Sequence, residues 1–263
     1  MKFNKLRKLL KPLLRRNAPS LKSTFNPSPE QVLSLNTKPI LFIHVGKCAG
    51  TSIRDSLLNL IPTGFTLHEM HCRDANSRIA EIVENDDGEI EYVICTRDPV
   101  ARFISAFNWD KHNMHFQGTL KGRKEGLAYE QFPTINALVQ GLQSDIVEER
   151  QLATVLATSK SLHMGMGQSW YTPLEVVERL PLARTSVIDA YAVKDGIIKL
   201  TQKLGCEPPD PTWTAPWEKS DYKLSYPDHE KEFPTSLSAK EETALQSCIE
   251  DDINVYRKLL KIQ

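Results

Sequence analysis

Lys47, Thr51 and Ser52 stand in the stretch HVGKCAGTS (44–52), where Gly46 and Gly50 bound a short loop. A loop of this kind between a buried strand and a helix offers backbone N–H groups and a helix N-terminus to an anion, most naturally a phosphate. Lys47 adds a point charge, and Thr51 and Ser52 add hydroxyl donors. A Walker loop needs Gly-Lys-Ser/Thr at the end of its glycine-rich stretch. Here the lysine comes near the start and Gly50 is followed by Thr51, so that pattern is absent. The plainer alternative is a glycine turn with a surface lysine. A second stretch, CTRDPVARFISAFNW (95–109), puts Arg97 at the end of a hydrophobic segment and Ser105 eight residues further on. An arginine suits bidentate binding of a phosphate, and a hydroxyl about two helical turns on can add to it. Asp98 reads either as an acid at a strand end or as half of a capping ion pair with Arg97.

Proton transfer at neutral pH is histidine chemistry first. His68 and His71 close a short apolar segment, His112 and His115 follow Trp109, and His163 opens HMGMGQSWY (163–171). His44 lies inside a buried run and reads as a hydrogen-bonded core residue. The 163–171 segment and His112/His115 are candidate walls of a cleft, or ordinary surface packing. The five cysteines, Cys48, Cys72, Cys95, Cys206 and Cys248, are widely spaced with no C-x-x-C pair, which argues against a zinc site and for a reducing compartment.

These side chains need a frame to hold them. Pro39 to Val45 is a continuous apolar run, as in strands buried on both faces of a parallel sheet. A helix from Thr51 or Ser52 to about Leu60 follows the glycine loop. A weaker strand at 65–71, a helix at 74–84, a strand at 91–96 and a helix after Pro99 continue the alternation. Further helices are expected at 132–142, 148–158 and 196–204, with a strand at 187–193 between them. One last helix starts at Ser238 with Glu241 completing a capping box. Strands alternating with helices predict an α/β fold with a central, mostly parallel sheet flanked by helices in three layers. In such sheets ligands bind at the strand carboxyl ends, where Arg97 would lie. Residues 206–234, rich in proline and carrying Trp213 and Trp217, read as an ordered loop or lid whose tryptophans anchor it or stack on a sugar ring.

The paired stretches, in this order and each after a strand, resemble the PAPS-dependent sulfotransferases, especially the carbohydrate-type family with a K-x-G-G-T-S loop. PAPS is 3′-phosphoadenosine 5′-phosphosulfate. The resemblance is strong over about residues 39–110 and weaker over 185–260, where IEDDINVYRKLL places Asp252 and Tyr256 in a D-x-x-x-Y closing helix. It implies a P-loop-like fold in which Lys47, Cys48, Ala49, Gly50, Thr51 and Ser52 cradle the 5′-phosphosulfate. It also implies that Arg97 and Ser105 hold the 3′-phosphate, and it places a general base just after the second strand. His71 is the candidate there, nearest the strand's end and followed by Arg73; alternation turns His68 to the other face. Lys47 would stabilise the leaving phosphate. Ala49 stands where the family usually has glycine, which predicts a negative φ at that residue.

The chain has 263 residues, 40% hydrophobic and 25% charged, which excludes wholesale disorder and fibrous repeats. No run of 18 apolar residues exists, so no membrane-spanning helix is expected. The formal charge is zero but segregated: residues 1–22 carry +8 and the remainder −8. A bulk nucleic-acid binder is therefore not expected, and an anionic ligand of the acidic body needs a local cluster of donors. Phe3, Leu6, Leu9, Leu10, Leu13 and Leu14 make an apolar stripe among the basic residues, interrupted by Pro12. Residues 1–23 thus read as a peripheral membrane contact or a solubilising terminus, without a signal peptide. The organisation expected is a basic arm and linker (1–38) before a sulfotransferase domain (39–263), in a cytoplasmic protein. The expected reaction moves a sulfuryl group from PAPS to a hydroxyl of a carbohydrate or glycan acceptor, without a metal, since loop amides, Lys47 and Arg97 neutralise the phosphates. A nucleotide kinase of similar fold and a non-catalytic membrane-surface binding protein are the alternatives.

Overall fold

The computed structural model describes residues 22–34, 37–62, 64–216 and 225–262. The basic arm up to residue 21 and Trp217 lie outside them. Five strands form one parallel sheet in the order β1-β3-β2-β4-β5: β1 (Lys22–Phe25), β2 (Lys38–Ile43), β3 (Phe65–Met70), β4 (Glu91–Thr96) and β5 (Thr185–Asp189). Ile40 to Ile43 and Tyr92 to Cys95 are fully buried, as the apolar runs of central parallel strands require.

The helices follow from the order of the strands. From β2 the chain passes through α2 (Gly50–Leu60) to β3 on one side, then through α3 (Ala75–Glu84) back across to β4 on the other. Right-handed crossovers running in opposite directions put α2 and α3 on opposite faces. Sequence and structure agree on this three-layer α/β architecture. β2 and β4 are neighbours whose connections leave in opposite directions. A crevice opens beyond their carboxyl ends, and both phosphate-type stretches lead into it.

Between β4 and β5 lies a helical subdomain. It holds α4 (Pro99–Asp110), a π-helical turn at 111–115, α5 (Lys124–Gln131), α6 (Ile135–Leu142), α7 (Val147–Thr158), α8 (Gln168–Tyr171) and α9 (Leu174–Arg179). Phe103, Phe107, Tyr129, Phe132, Leu138 and Leu156 build a second core there, beside the core of the sheet. The expected helix at 132–142 starts instead at Ile135. Pro133 keeps Phe132 out of helical geometry, with φ −118° and ψ 74°, and Thr134 caps the new helix through Ala137 N–H at 3.2 Å. Strand β5 is shorter than the expected 187–193, because the Asp189 carboxylate accepts Tyr191 N–H at 2.7 Å and turns the chain into α10 (Val193–Lys203). After a short α11 (His229–Glu232), the single helix expected at the end is two: α12 (Ala239–Cys248) and α13 (Glu250–Leu259). The break at Ile249 lets Leu245 and Ile249 join the helical core while Val255 and Leu259 turn to the sheet.

Residues 24–38, part of the expected linker, contain half of β1 and all of α1 (Pro29–Leu33). The strand is exposed along its length, so no apolar pattern announces it. It covers His68, whose Nδ1 lies 2.7 Å from Thr24 Oγ1, and Asn26 Oδ1 accepts the backbone N–H of His71 at 2.6 Å.

Candidate active site

A cleft of about 770 Å³ opens at the carboxyl ends of β2 and β4, within the size range of small-molecule sites. Its floor is the loop after β2 and the first turn of α2: Gly46, Lys47, Ala49, Gly50, Thr51 and Ser52 all line it. Gly50 is required by packing, because a Cβ there would overlap the His44 ring. Lys47 and Ala49 both have left-handed backbones, with φ of 68° and 59°. The expected negative φ at Ala49 is therefore overturned: the residue takes the glycine-type conformation despite its methyl group. A left-handed L-residue costs roughly 1–2 kcal/mol, against roughly 0.4–1 kcal/mol of extra unfolded-chain entropy for glycine. Ala49→Gly is thus expected to stabilise the fold by about 0.5–1 kcal/mol in urea unfolding. A lowered midpoint would contradict that loop conformation.

The second stretch supplies the wall. Arg97, Ala101, Ile104, Ser105 and Asn108 share one face of α4 and its lead-in, and all border the cleft. Arg97 Nη1 donates to the Lys47 carbonyl at 3.3 Å and Nε to Tyr191 Oη at 3.3 Å, so one guanidinium ties together the loops after β2, β4 and β5. The Lys47 ammonium sits 4.0 Å from the centre of the Trp109 ring. Cys48 is buried beneath the loop, and Ser52 Oγ donates to the Pro216 carbonyl, which brings Ala215 and Pro216 over the cleft. Asp98 is a helix cap, accepting Ala101 N–H at 2.8 Å. The described lining holds Lys47, Arg97 and Lys194 and no carboxylate. In a body of net charge −8, this is the local cation cluster that an anionic ligand needs.

The sulfotransferase family model matches residues 31–163, just over half of the chain, spanning both stretches and the walls they build. The chain belongs to the sulfotransferase family. No curated protein matches it.

Three histidines meet at the glycine-bounded loop of this sulfotransferase family member. The His44 and His71 rings stack at 4.3 Å, and His71 and His163 at 6.3 Å. All three border the cleft, whereas His68 is buried under β1, as strand alternation predicts. His71 Nδ1 lies 2.8 Å from the His44 carbonyl oxygen, which can only accept, so Nδ1 carries the proton and Nε2 the lone pair. Burial, with His44 beside it, pushes the His71 pKa down to about 4. His44 is hydrogen-bonded as expected, its Nδ1 2.5 Å from the buried Glu69 Oε1, but it is half-buried on the cleft wall rather than within the core. His112 and His115 do not border the cleft; they join Tyr226 and Tyr129 in an aromatic group. Trp213 packs against the sheet core.

Sequence reasoning missed Tyr191, exposed over the Arg97 guanidinium, and Asp110, which is fully buried and bonded to His163. Asp110 gives no local signal, because its partner is 53 residues away. Asp252 of the D-x-x-x-Y pair acts as support: it accepts Ser169 N–H at 2.8 Å and faces the buried Arg102 at 3.5 Å.

Proposed function

We propose that this protein transfers the sulfuryl group of PAPS to a hydroxyl of a carbohydrate or glycan acceptor. The observation that carries the donor is a cleft whose described lining holds no carboxylate, with Lys47, Arg97, Lys194 and the N-terminal amides of α2 around it. That donor set suits phosphate and sulfate oxygens and leaves both negative ends of PAPS compensated. The loop N–H groups, Thr51 and Lys47 would bind the 5′-phosphosulfate; Arg97 and Ser105 would bind the 3′-phosphate. In the reaction the S–O bond to the bridging oxygen breaks and a new S–O bond forms to the acceptor. The electron pair leaves with 3′-phosphoadenosine 5′-phosphate (PAP), and the hydroxyl proton passes to a base. Lys47 supplies positive charge at the leaving oxygen. The base is a cleft histidine, His71 or His163, each with Nδ1 engaged by an acceptor oxygen and Nε2 left for the hydroxyl.

A nucleotide kinase would need a carboxylate for its magnesium. The one at the end of β4, Asp98, is occupied in capping α4. Calorimetric titration with PAP, followed by incubation with [³⁵S]PAPS and a panel of glycans, lipids and phenols, tests the reading. PAP binding with label moving to a glycan is the expected result. Failure to bind PAP, or tighter binding of ATP with magnesium, would overturn it.

A further inference from the structure

His163 and Asp110 form a carboxylate–imidazole pair that borders the phosphate loop, and no sequence spacing announces it. His163 Nδ1 lies 2.6 Å from Asp110 Oδ1. The other carboxylate oxygen, Oδ2, accepts the backbone N–H of His163 at 2.8 Å. Asp110 is completely buried at the end of α4, two turns beyond Arg102. The Arg102 guanidinium, also completely buried, donates to the carbonyls of His163 and Met164 at 3.0 Å each. The imidazole is thus fixed at its backbone from both sides and at its ring by the carboxylate. Its Cδ2, the neighbour of Nε2, lies 2.9 Å from the point where a Cβ on Gly46 would stand, so that edge of the ring faces the phosphate loop.

We propose that His163, oriented by Asp110, takes the proton from the acceptor hydroxyl, and that His71 beside it is a neutral neighbour. This rests on the sulfuryl-transfer reading and deepens it. Three comparisons within the histidine group favour the assignment. His44 has a carboxylate on Nδ1 too, but its side chain is only 12% exposed and its ring packs tightly on Gly50. His71 has only uncharged partners at Nδ1, the His44 carbonyl and Tyr171 Oη, and burial already holds it against protonation, so it is a weak proton acceptor. His163 combines an orienting anion, which stabilises the imidazolium formed as the proton arrives, with the more exposed side chain of the two carboxylate-bonded histidines, at the edge of the loop. Its side chain is 27% exposed, which lets the proton pass to water once the product has left. The charged and titratable groups facing it are Asp110 and Arg102 from α4, Lys47 from the loop and His71 from the end of β3.

Asp110→Asn gives a specific test. The amide oxygen would stay with the backbone N–H groups of His163 and Met164, placing the NH₂ against Nδ1. Nδ1 must then accept, the proton moves to Nε2, and no lone pair is left for the hydroxyl. In the wild type, ¹⁵N imidazole spectra at neutral pH are expected to show Nδ1–H and a bare Nε2 for His163, exchanging places in Asp110→Asn. Turnover is read as release of [³⁵S]sulfate from PAPS to water and as transfer to the acceptor found in the panel. His163→Gln is expected to lower it by about 10²–10⁴-fold and Asp110→Asn by on the order of 10⁴-fold. PAP affinity is expected to hold in both, and His71→Gln to cost less. Wild-type turnover in His163→Gln, a wild-type Nε2–H tautomer, or an acid limb near pH 4 that His71→Gln removes would each overturn the assignment. Loss of PAP binding in the wild type would instead strike the sulfotransferase reading itself.

Discussion

Lys47→Ala is expected to lower kcat for sulfuryl transfer by about 10²–10³-fold while leaving PAP affinity close to wild type, since removing one stabiliser of a developing oxyanion costs that much. The asymmetry follows from the ligands. PAP lacks the sulfuryl group, so a cation that matters at the bridging oxygen during bond breaking has little to hold in the product complex. The lysine is well placed for this use: the left-handed turn at residue 47 and the Trp109 face, 4.0 Å from its ammonium, set it on the cleft floor. Rates with saturating [³⁵S]PAPS and Kd values for PAP, measured on both proteins, make the comparison. A loss of PAP affinity with unchanged kcat would turn Lys47 into a ground-state phosphate ligand. No change in either would take it out of the site.

The fold was legible where burial imposes a pattern. Strands buried on both faces, such as 40–43 and 92–95, must be apolar throughout, and helix starts at Pro99 and Ser238 carry their own chemistry. It was illegible where pairing alone makes the element. Strand β1 is held by its ladder to β3 and by Asn26, with all its side chains exposed, so its polar sequence reads as linker. The terminal helix shows a third case. Its apolar stripe is continuous in sequence, yet Leu245 and Val255 belong to different cores, and only three-dimensional packing breaks it at Ile249.

The site divides in the same way. The stretches proposed to bind the donor, the 46–52 loop and the Arg97–Ser105 face, could be brought to one cleft from sequence because the strand before each and the helix after each fix the geometry. The histidine–aspartate group proposed to handle the proton could not. Its members come from the end of β2, the end of β3, the end of α4 and the loop before α8, and meet only when the helical subdomain packs on the sheet. Strand alternation did separate His71 from His68, because a period of two is set by backbone geometry alone. No comparable rule relates Asp110 to His163.

Arg97→Ala is expected to weaken PAP by roughly 1.5–3 kcal/mol, about 10- to 150-fold, the range for a charge-assisted contact. Adenosine 5′-phosphosulfate, which lacks the 3′-phosphate, is expected to bind the variant almost as well as the wild type. The second ligand is necessary because Arg97 also holds the site together. Its guanidinium bonds the Lys47 carbonyl and Tyr191 Oη, and truncation loosens the loop proposed to hold the other end of the donor. A purely structural arginine would therefore weaken both nucleotides alike. Ser105 separates the two effects further. It borders the cleft two turns along the same face, away from the contacts that tie the loops, so Ser105→Ala is expected to cost PAP about 0.5–1.5 kcal/mol with no change for adenosine 5′-phosphosulfate. If Arg97→Ala reduces both affinities equally and Ser105→Ala reduces neither, the 3′-phosphate lies elsewhere. Lys194, the remaining cation of the described lining, then becomes the residue to substitute.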